Sequence, residues 1–243
     1  MLADPFTLNP ALNPEHLGEV YRQRCRVRIA GFLGNDGPQR LLTDLDARTD
    51  WRQVFNSGSK LYELDRPARE SMTQDQREAL DGAIHAQARE GFQYRYETVR
   101  VPDGKAARAA STDILARFAD WLSSEAALSF LRQITGHEDI RFADTQATAY
   151  APGDFLTAHT DNVAGKDRRA AFVLSLNAGW RAEWGGLLMF HGENGSFEGV
   201  APAFNTLDLL AVPQSHSVSY VAPSAARRRL SITGWLRAQE QPA

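Results

Sequence analysis

ADTQATAY (143–150), DFLTAHTD (154–161), RAAFVLSLN (169–177), GGLLMFHG (185–192), FNTLDLLAV (204–212), HSVSYVA (216–222) and RLSITGWLR (229–237) follow one another in the second half of this 243-residue chain. Each is short and rich in β-branched, aromatic or alternating apolar residues. Gly, Pro, Asn and Asp punctuate the gaps, which is the pattern of strands joined by turns. Six or seven strands in under about 100 residues predict a sandwich or jelly roll.

Upstream of residue 140 the chain reads as mixed and mostly helical. Asn13 and Pro14 mark a helix start before EHLGEVYRQRC. VRIAGFL (27–33) reads as a short strand, and Asp36 to Asp46 as a second helix. Gln74 to Gly91 reads as a long helix capped by Thr73. Ile114, Leu115, Phe118, Trp121 and Leu122 fall at helical spacing within 111–122. A further helix over 124–134 stops at Gly136. No linker-like composition separates the halves. The expected architecture is therefore one domain over residues 1–243, of α+β class with a mostly β core. Helical and mixed support spans 1–140, and a jelly-roll core spans 141–238.

Composition limits the chemistry. Cys25 is the lone cysteine, which excludes an internal disulfide framework and a Cys-rich zinc site. A net charge of -3 gives no sign of a nucleic-acid or anionic-membrane partner. No window approaches 18 apolar residues, and the N-terminus lacks a basic segment followed by an apolar one. A cytoplasmic protein is the expectation. Metal or acid–base chemistry has six histidines to draw on.

A mononuclear iron oxygenase site takes two His and one carboxylate on one face of the metal. His-x-Asp on a strand would point both side chains to one side. About 0.4 such pairs arise by chance in this composition, and two occur. His137 and Asp139 sit in polar GHED after a helix end, and read as a solvated turn. His159 and Asp161 end a half-apolar strand among other strands. His191 with Glu193 reads as a hairpin turn, and His16 and His85 as surface or packing residues on helices. His216 opens a strand 55 residues after Asp161, far enough to meet it across a jelly roll. Spacing alone leaves two readings of His216, third ligand or packing at a strand end.

Iron of this type is commonly paired with 2-oxoglutarate, whose far carboxylate suits the arginine fork. Arg227, Arg228 and Arg229 precede LSITGWL. In that strand Arg229, Ser231, Thr233 and Trp235 share one face, while Leu230, Ile232 and Leu236 share the other. Arg229, with Thr233 beside it, is the candidate anchor, and Arg227 and Arg228 read as a basic loop tip.

Taken in order, Tyr-x-x-Gly (150–153), His-x-Asp (159–161), Leu-Asn-x-x-Trp (176–180), Trp-Gly-Gly (184–186), His216 and Arg-x-Ser-x-Thr-Gly-Trp (229–235) resemble the Fe(II)/2-oxoglutarate dioxygenases of the prolyl 4-hydroxylase superfamily. The likeness spans about 110–237 and points to the ribosomal-protein and oxygen-dependent prolyl hydroxylases. It implies a double-stranded β-helix with helices on its outer face. It implies His159, Asp161 and His216 as iron ligands and Arg229 as the salt bridge to 2-oxoglutarate. Tyr150 matches a tyrosine lining the cosubstrate pocket, and Ser175 stands where some relatives have a cosubstrate-binding tyrosine. The cofactors implied are Fe(II), 2-oxoglutarate and O2, with ascorbate as an adjunct. The substrate implied is a prolyl residue of a protein, the translation machinery included. A free amino acid or other small metabolite, and a non-catalytic jelly-roll binding role, are the alternatives. Residues 90–108 (EGFQYRYETVRVPDGKAAR) fall where relatives carry a loop over the substrate, and read otherwise as an edge strand with a surface loop.

Overall fold

The computed structural model describes residues 6–102 and 104–239. Residues 1–5 of the N-terminal stretch and residue 103 of the 90–108 segment therefore lie outside the described residues.

Among the described residues, five of the seven α-helices start where a side chain satisfies their first amides. Asn13 accepts from the Glu15 and His16 amides to open α1 (Pro14–Arg24). α2 spans Gly37–Ala47 and α3 Arg66–Glu70. Thr73 and Gln76 form a reciprocal capping box at the start of α4 (Gln74–Glu90). After α5 (Lys105–Ala109), Asp113 and Ser124 cap α6 (Ile114–Leu122) and α7 (Glu125–Thr135). Gly136, at φ +74°, ends α7 in the left-handed conformation.

The strands are β1 (Arg26–Ala30), β2 (Arg52–Ser57), β3 (Lys60–Leu64), β4 (Tyr94–Arg100), β5 (Phe142–Tyr150), β6 (Phe155–His159), β7 (Arg168–Leu176), β8 (Leu188–His191), β9 (Phe197–Val200), β10 (Phe204–Ala211), β11 (His216–Val218) and β12 (Arg229–Arg237). All their pairings are antiparallel, in the order β1-β10-β7-β12-β5-β4-β6-β11-β8-β9, with β2 paired to β4 and β3 to β2. The sheet folds over at β4, which pairs with β5 through Glu97–Arg100 and with β6 through Tyr94 and Arg95. The result is a curled sheet with helices on one face, a double-stranded β-helix.

Alternation along each strand divides core from cavity. Ala147, Ala149, Leu174, Leu209, Leu230, Ile232 and Leu236 pack outward against helix residues such as Leu115, Phe118, Leu128 and Leu131. An aromatic group of Phe6, Phe32, Phe118, Trp121 and Phe130 closes the far side of that layer. The opposite face looks into the barrel.

The first half is less helical than its sequence suggests, because β2, β3 and β4 lie within it. The residues of β3 are mostly exposed, so they show no buried alternation. β4 is neither a loop nor an edge strand. Both of its edges are hydrogen-bonded, to β2 on one side and to β5 and β6 on the other.

Candidate active site

β6 and β11 run side by side, and their register sets His216 directly across from His159. The two imidazoles lie 4.2 Å apart, centre to centre. Asp161 reaches them by a route other than strand pleating. It sits two residues beyond β6 with φ +61°, a left-handed bend that turns its carboxylate back toward the rings. Its oxygens stand 3.4 Å from His159 Nε2 and 3.3 Å from His216 Nε2. The ligand-type atoms of the three residues all fall within 4.8 Å of one another.

The outer nitrogens of both rings are occupied. His159 Nδ1 donates to the Thr157 carbonyl at 3.1 Å, and His216 Nδ1 donates to the Gln214 carbonyl at 2.8 Å. A carbonyl can only accept, so each ring carries a proton on Nδ1 and turns Nε2, its ligating nitrogen, inward. Burial alone would raise the Asp161 carboxyl. The hydrogen bonds and charges of the two histidines outweigh it and hold the group well below the ordinary carboxylate range. Two imidazole donors and one carboxylate with their remaining atoms tied back are the donor set that a divalent iron takes.

The triad opens into a cavity of about 440 Å³. Arg229 forms part of its wall, is 2% exposed, and has no hydrogen-bond partner for Nε among the described residues. Its guanidinium lies 5.2 Å from the Tyr150 ring. Burial pushes the Arg229 cation down and the Tyr150 phenol well up from their ordinary values. A desolvated cation without a partner carboxylate fits the far end of a dicarboxylate. Tyr150 and Thr233 also line the cavity.

Ser175 does not. Its hydroxyl accepts from Asn177 Nδ2 at 2.9 Å and from the Ala203 amide at 3.0 Å, which ties it into the loop behind the cavity wall. The remaining histidines stay apart from the triad. His191 Nε2 bonds the Ser217 hydroxyl at 2.8 Å, and His85 packs between Phe155 and Tyr220.

Sequence reasoning missed two features. Arg168 lines the cavity, places its guanidinium 3.5 Å from the centre of the Trp235 ring and donates to the Asp161 carbonyl at 3.1 Å. Its signal was a basic residue at the start of an inward-facing strand, overlooked beside Arg169, which pairs with Asp139 outside. The second is the joining of Tyr94 and Tyr96 of the 90–108 segment with Phe92 and the expected pocket residue Tyr150 into one aromatic series, with neighbouring centroids 5.1–5.5 Å apart. It runs from a half-exposed Phe92 to the wall beside Arg229. Burial pushes the Tyr96 phenol up to about 12.

Residues 145–237 match the 2OG-Fe(II) oxygenase superfamily. No curated protein matches the whole sequence. Among solved structures, a prolyl-4-hydroxylase from Pseudomonas putida is similar, with a TM-score of 0.62 and 18% identity over 93% of this chain and 100% of that one. A prolyl hydroxylase from Trichoplax adhaerens, solved with a peptide fragment of the hypoxia inducible factor oxygen degradation domain, gives 0.58 and 15% over 93% and 90%. The α-ketoglutarate-dependent epimerase SnoN from nogalamycin biosynthesis gives 0.56 and 12% over 91% and 81%. Residues 145–237 thus carry a 2OG-Fe(II) oxygenase segment. The chain shares its fold with the prolyl hydroxylases it is similar to.

Proposed function

We propose that the protein hydroxylates a C–H bond of a prolyl residue in a protein substrate. The observation that carries the reading is a convergent His159–Asp161–His216 triad in one cavity with the buried, unpartnered Arg229. In this reading His159, Asp161 and His216 hold Fe(II) from one side. Arg229 takes the far carboxylate of 2-oxoglutarate through its two-pronged fork, with the Thr233 hydroxyl on the same face and Tyr150 as the packed wall. Bound together, iron and 2-oxoglutarate supply the oxidising chemistry, in which O2 is consumed, 2-oxoglutarate becomes succinate and CO2, and a substrate C–H becomes C–OH.

The chain's own contribution is positioning and exclusion of water. Phe92, Tyr94 and Tyr96 give the mouth an apolar wall that suits a saturated ring. A protein of the translation machinery is the substrate to try first. No described helix is long and apolar enough to cross a membrane. With its single free thiol at Cys25, the chain suits the cytoplasm, where Fe(II) stays reduced. We treat the chain as a single dioxygenase domain, with ascorbate as the reductant to supply in assays.

The test follows succinate on mixing protein, Fe(II), 2-oxoglutarate and ascorbate, with and without prolyl peptides, against His159→Ala. Succinate that rises with a peptide and vanishes in the variant supports the reading. Turnover unaffected by His159→Ala, or none with any prolyl peptide, overturns it.

A further inference from the structure

A second cavity lies behind the wall of the catalytic one, and β4 divides the two. Tyr94 and Tyr96 line the catalytic cavity, while the alternate residues Arg95 and Glu97 line the second. The chain entering β12 divides them in the same way, with Arg229 on the catalytic side and Arg228 on the other. Residues of α3 and α4 supply the rest of the second wall. The space measures about 490 Å³, against about 440 Å³ for the catalytic cavity, and the two share no lining residue.

The basic residues of this cavity are Arg66, Arg69, Arg77, Arg95 and Arg228. Its buried acids are already satisfied. Asp154 takes Arg95 Nε on one oxygen at 3.0 Å and the Ala151 amide on the other at 2.9 Å. Glu97 takes Arg69 on one oxygen and Arg228 on the other, the latter at 2.7 Å. Asp81 is held by Arg95. The exposed Glu70 is the one lining carboxylate with no arginine partner among the described residues.

The arginine donors, by contrast, are not used up. Arg69 and Arg228 each give Glu97 one terminal nitrogen, and the rest of each fork has no acceptor among the described residues. Arg77 reaches only the Arg69 carbonyl, at 3.4 Å, and the Arg66 side chain has no hydrogen bond or ion pair among those residues. The forks are also neighbours. Arg69 and Arg228 meet on one carboxylate, Arg66 and Arg69 stand three residues apart on α3, and Arg77 touches the backbone of that turn. Like charges gathered this way repel one another, and an oxyanion seated among them relieves the repulsion while filling the open forks. The guanidinium plane matches paired oxygens of phosphate or carboxylate. Met72, Leu80 and Pro152 add an apolar stretch of wall, which suits an organic body behind the charged group.

We propose that this cavity is a second binding site, for a small organic anion held through its phosphate or carboxylate group by Arg66, Arg69, Arg77 and Arg228. It stands apart from the reading of the catalytic cavity and does not depend on it.

The experiment is calorimetric titration of the full chain, loaded with Mn(II) and one equivalent of 2-oxoglutarate, with phenyl phosphate and with benzoate at constant ionic strength. One of the two should bind with one-to-one stoichiometry. Tighter phenyl phosphate assigns the site to a phosphate, tighter benzoate to a carboxylate, and either supports the proposal. Arg66→Ala and Arg77→Ala remove forks that hold no carboxylate, so no buried acid is stranded. Each should weaken the preferred anion by about fivefold or more. Arg40→Ala removes an exposed cation of α2 outside the cavity and should leave the affinity within about twofold of the parent. Arg229→Leu, which removes the buried fork of the catalytic cavity, should also leave it there. Absence of binding by both anions overturns the proposal, as does parent-like affinity in Arg66→Ala and Arg77→Ala. An equal loss in Arg40→Ala shows attraction to overall charge alone, and a loss in Arg229→Leu places the anion in the catalytic cavity; either result overturns it as well.

Discussion

Gly186→Ala isolates the dependence of the cosubstrate site on one missing methyl group. A Cβ at this position would stand 3.1 Å from Arg229 Cδ, 3.2 Å from Val221 Cγ2 and 3.4 Å from Trp180 Cζ2. Val221 and Arg229 are buried, and Tyr150 closes the other side of the guanidinium, so Arg229 has little room to yield. Two costs follow. Gly186 has φ +62°, where an L-residue is disfavoured by about 1–2 kcal/mol. For a chain of this size that strain lowers Tm by roughly 2–8 °C. The second cost is local. If Arg229 shifts enough to lose one of two charge-assisted bonds to 2-oxoglutarate, about 1.5–3 kcal/mol goes with it. Cosubstrate binding then weakens by roughly 10–100-fold. Gly179→Ala separates the two effects. Gly179 has φ +63° and nothing within 4 Å of its Cβ position, so it carries the strain without the crowding. Calorimetric 2-oxoglutarate titrations of Mn(II)-loaded protein, paired with melting curves, should show both variants less stable and only Gly186→Ala impaired in binding. Equal cosubstrate affinity in the two variants would refute the reasoning that Gly186 makes room for the anchor.

Arg168→Gln removes the charged donor to the Asp161 carbonyl, a bond worth about 1.5–3 kcal/mol to the left-handed bend that aims the carboxylate. Mn(II) affinity should fall by about tenfold or more, and unchanged metal titrations would count against this role. Glu97 is buried and holds both Arg69 and Arg228. Glu97→Leu strands two partly exposed cations and should cost about 1–3 kcal/mol, which differential scanning calorimetry would register as a lower Tm. Asp154 is pushed up to about 7 by burial, against the opposing Ala151 amide and Arg95. A raised folded-state value means the folded protein holds a proton that the unfolded chain has released. That contribution is fully present below about pH 4 and is lost as pH rises through about 7. Relative to Asp154→Asn, the parent should therefore gain Tm as pH is lowered from 7.5 to 5. Parallel curves for the two proteins would show that Asp154 does not titrate in that window.

What could be read from the residues was whatever local periodicity or capping enforces. Asn13, Thr73 and Gly136 mark helix ends because end groups need partners, and that need is written within three or four residues. β12 shows its two faces because one packs on helices and the other lines a cavity. β2 and β3 were hidden because β3 is exposed on an edge and lacks an alternating apolar set. The convergence of Asp161 with His159 was foreseen, but for a different geometric reason, since a left-handed bend does what the pleat was expected to do. Ser175 shows the limit of position along a strand. It has the inward parity of Val173, yet the neighbouring Asn177 claims its hydroxyl, and that claim is set by a turn. Arg168 matters through a carbonyl seven residues earlier, and no spacing rule points there.

The charges of the cavity explain why these separate features belong to one device. The charged residues in its wall are Asp161, Arg168 and Arg229. Each end is locally unbalanced. Asp161 is a buried carboxylate facing the two imidazole Nε2 atoms, and Arg229 is a buried cation whose Nε has no acceptor among the described residues. A divalent cation completes the first end, and a dicarboxylate completes the second. Together the two ligands are neutral, so the pair adds no net charge to a region that solvates charge poorly. Either one alone would add two charges. The cavity thus favours joint occupancy, and the surrounding sheet keeps its own carboxylates, Asp208 and Glu97, locked to arginines other than Arg229.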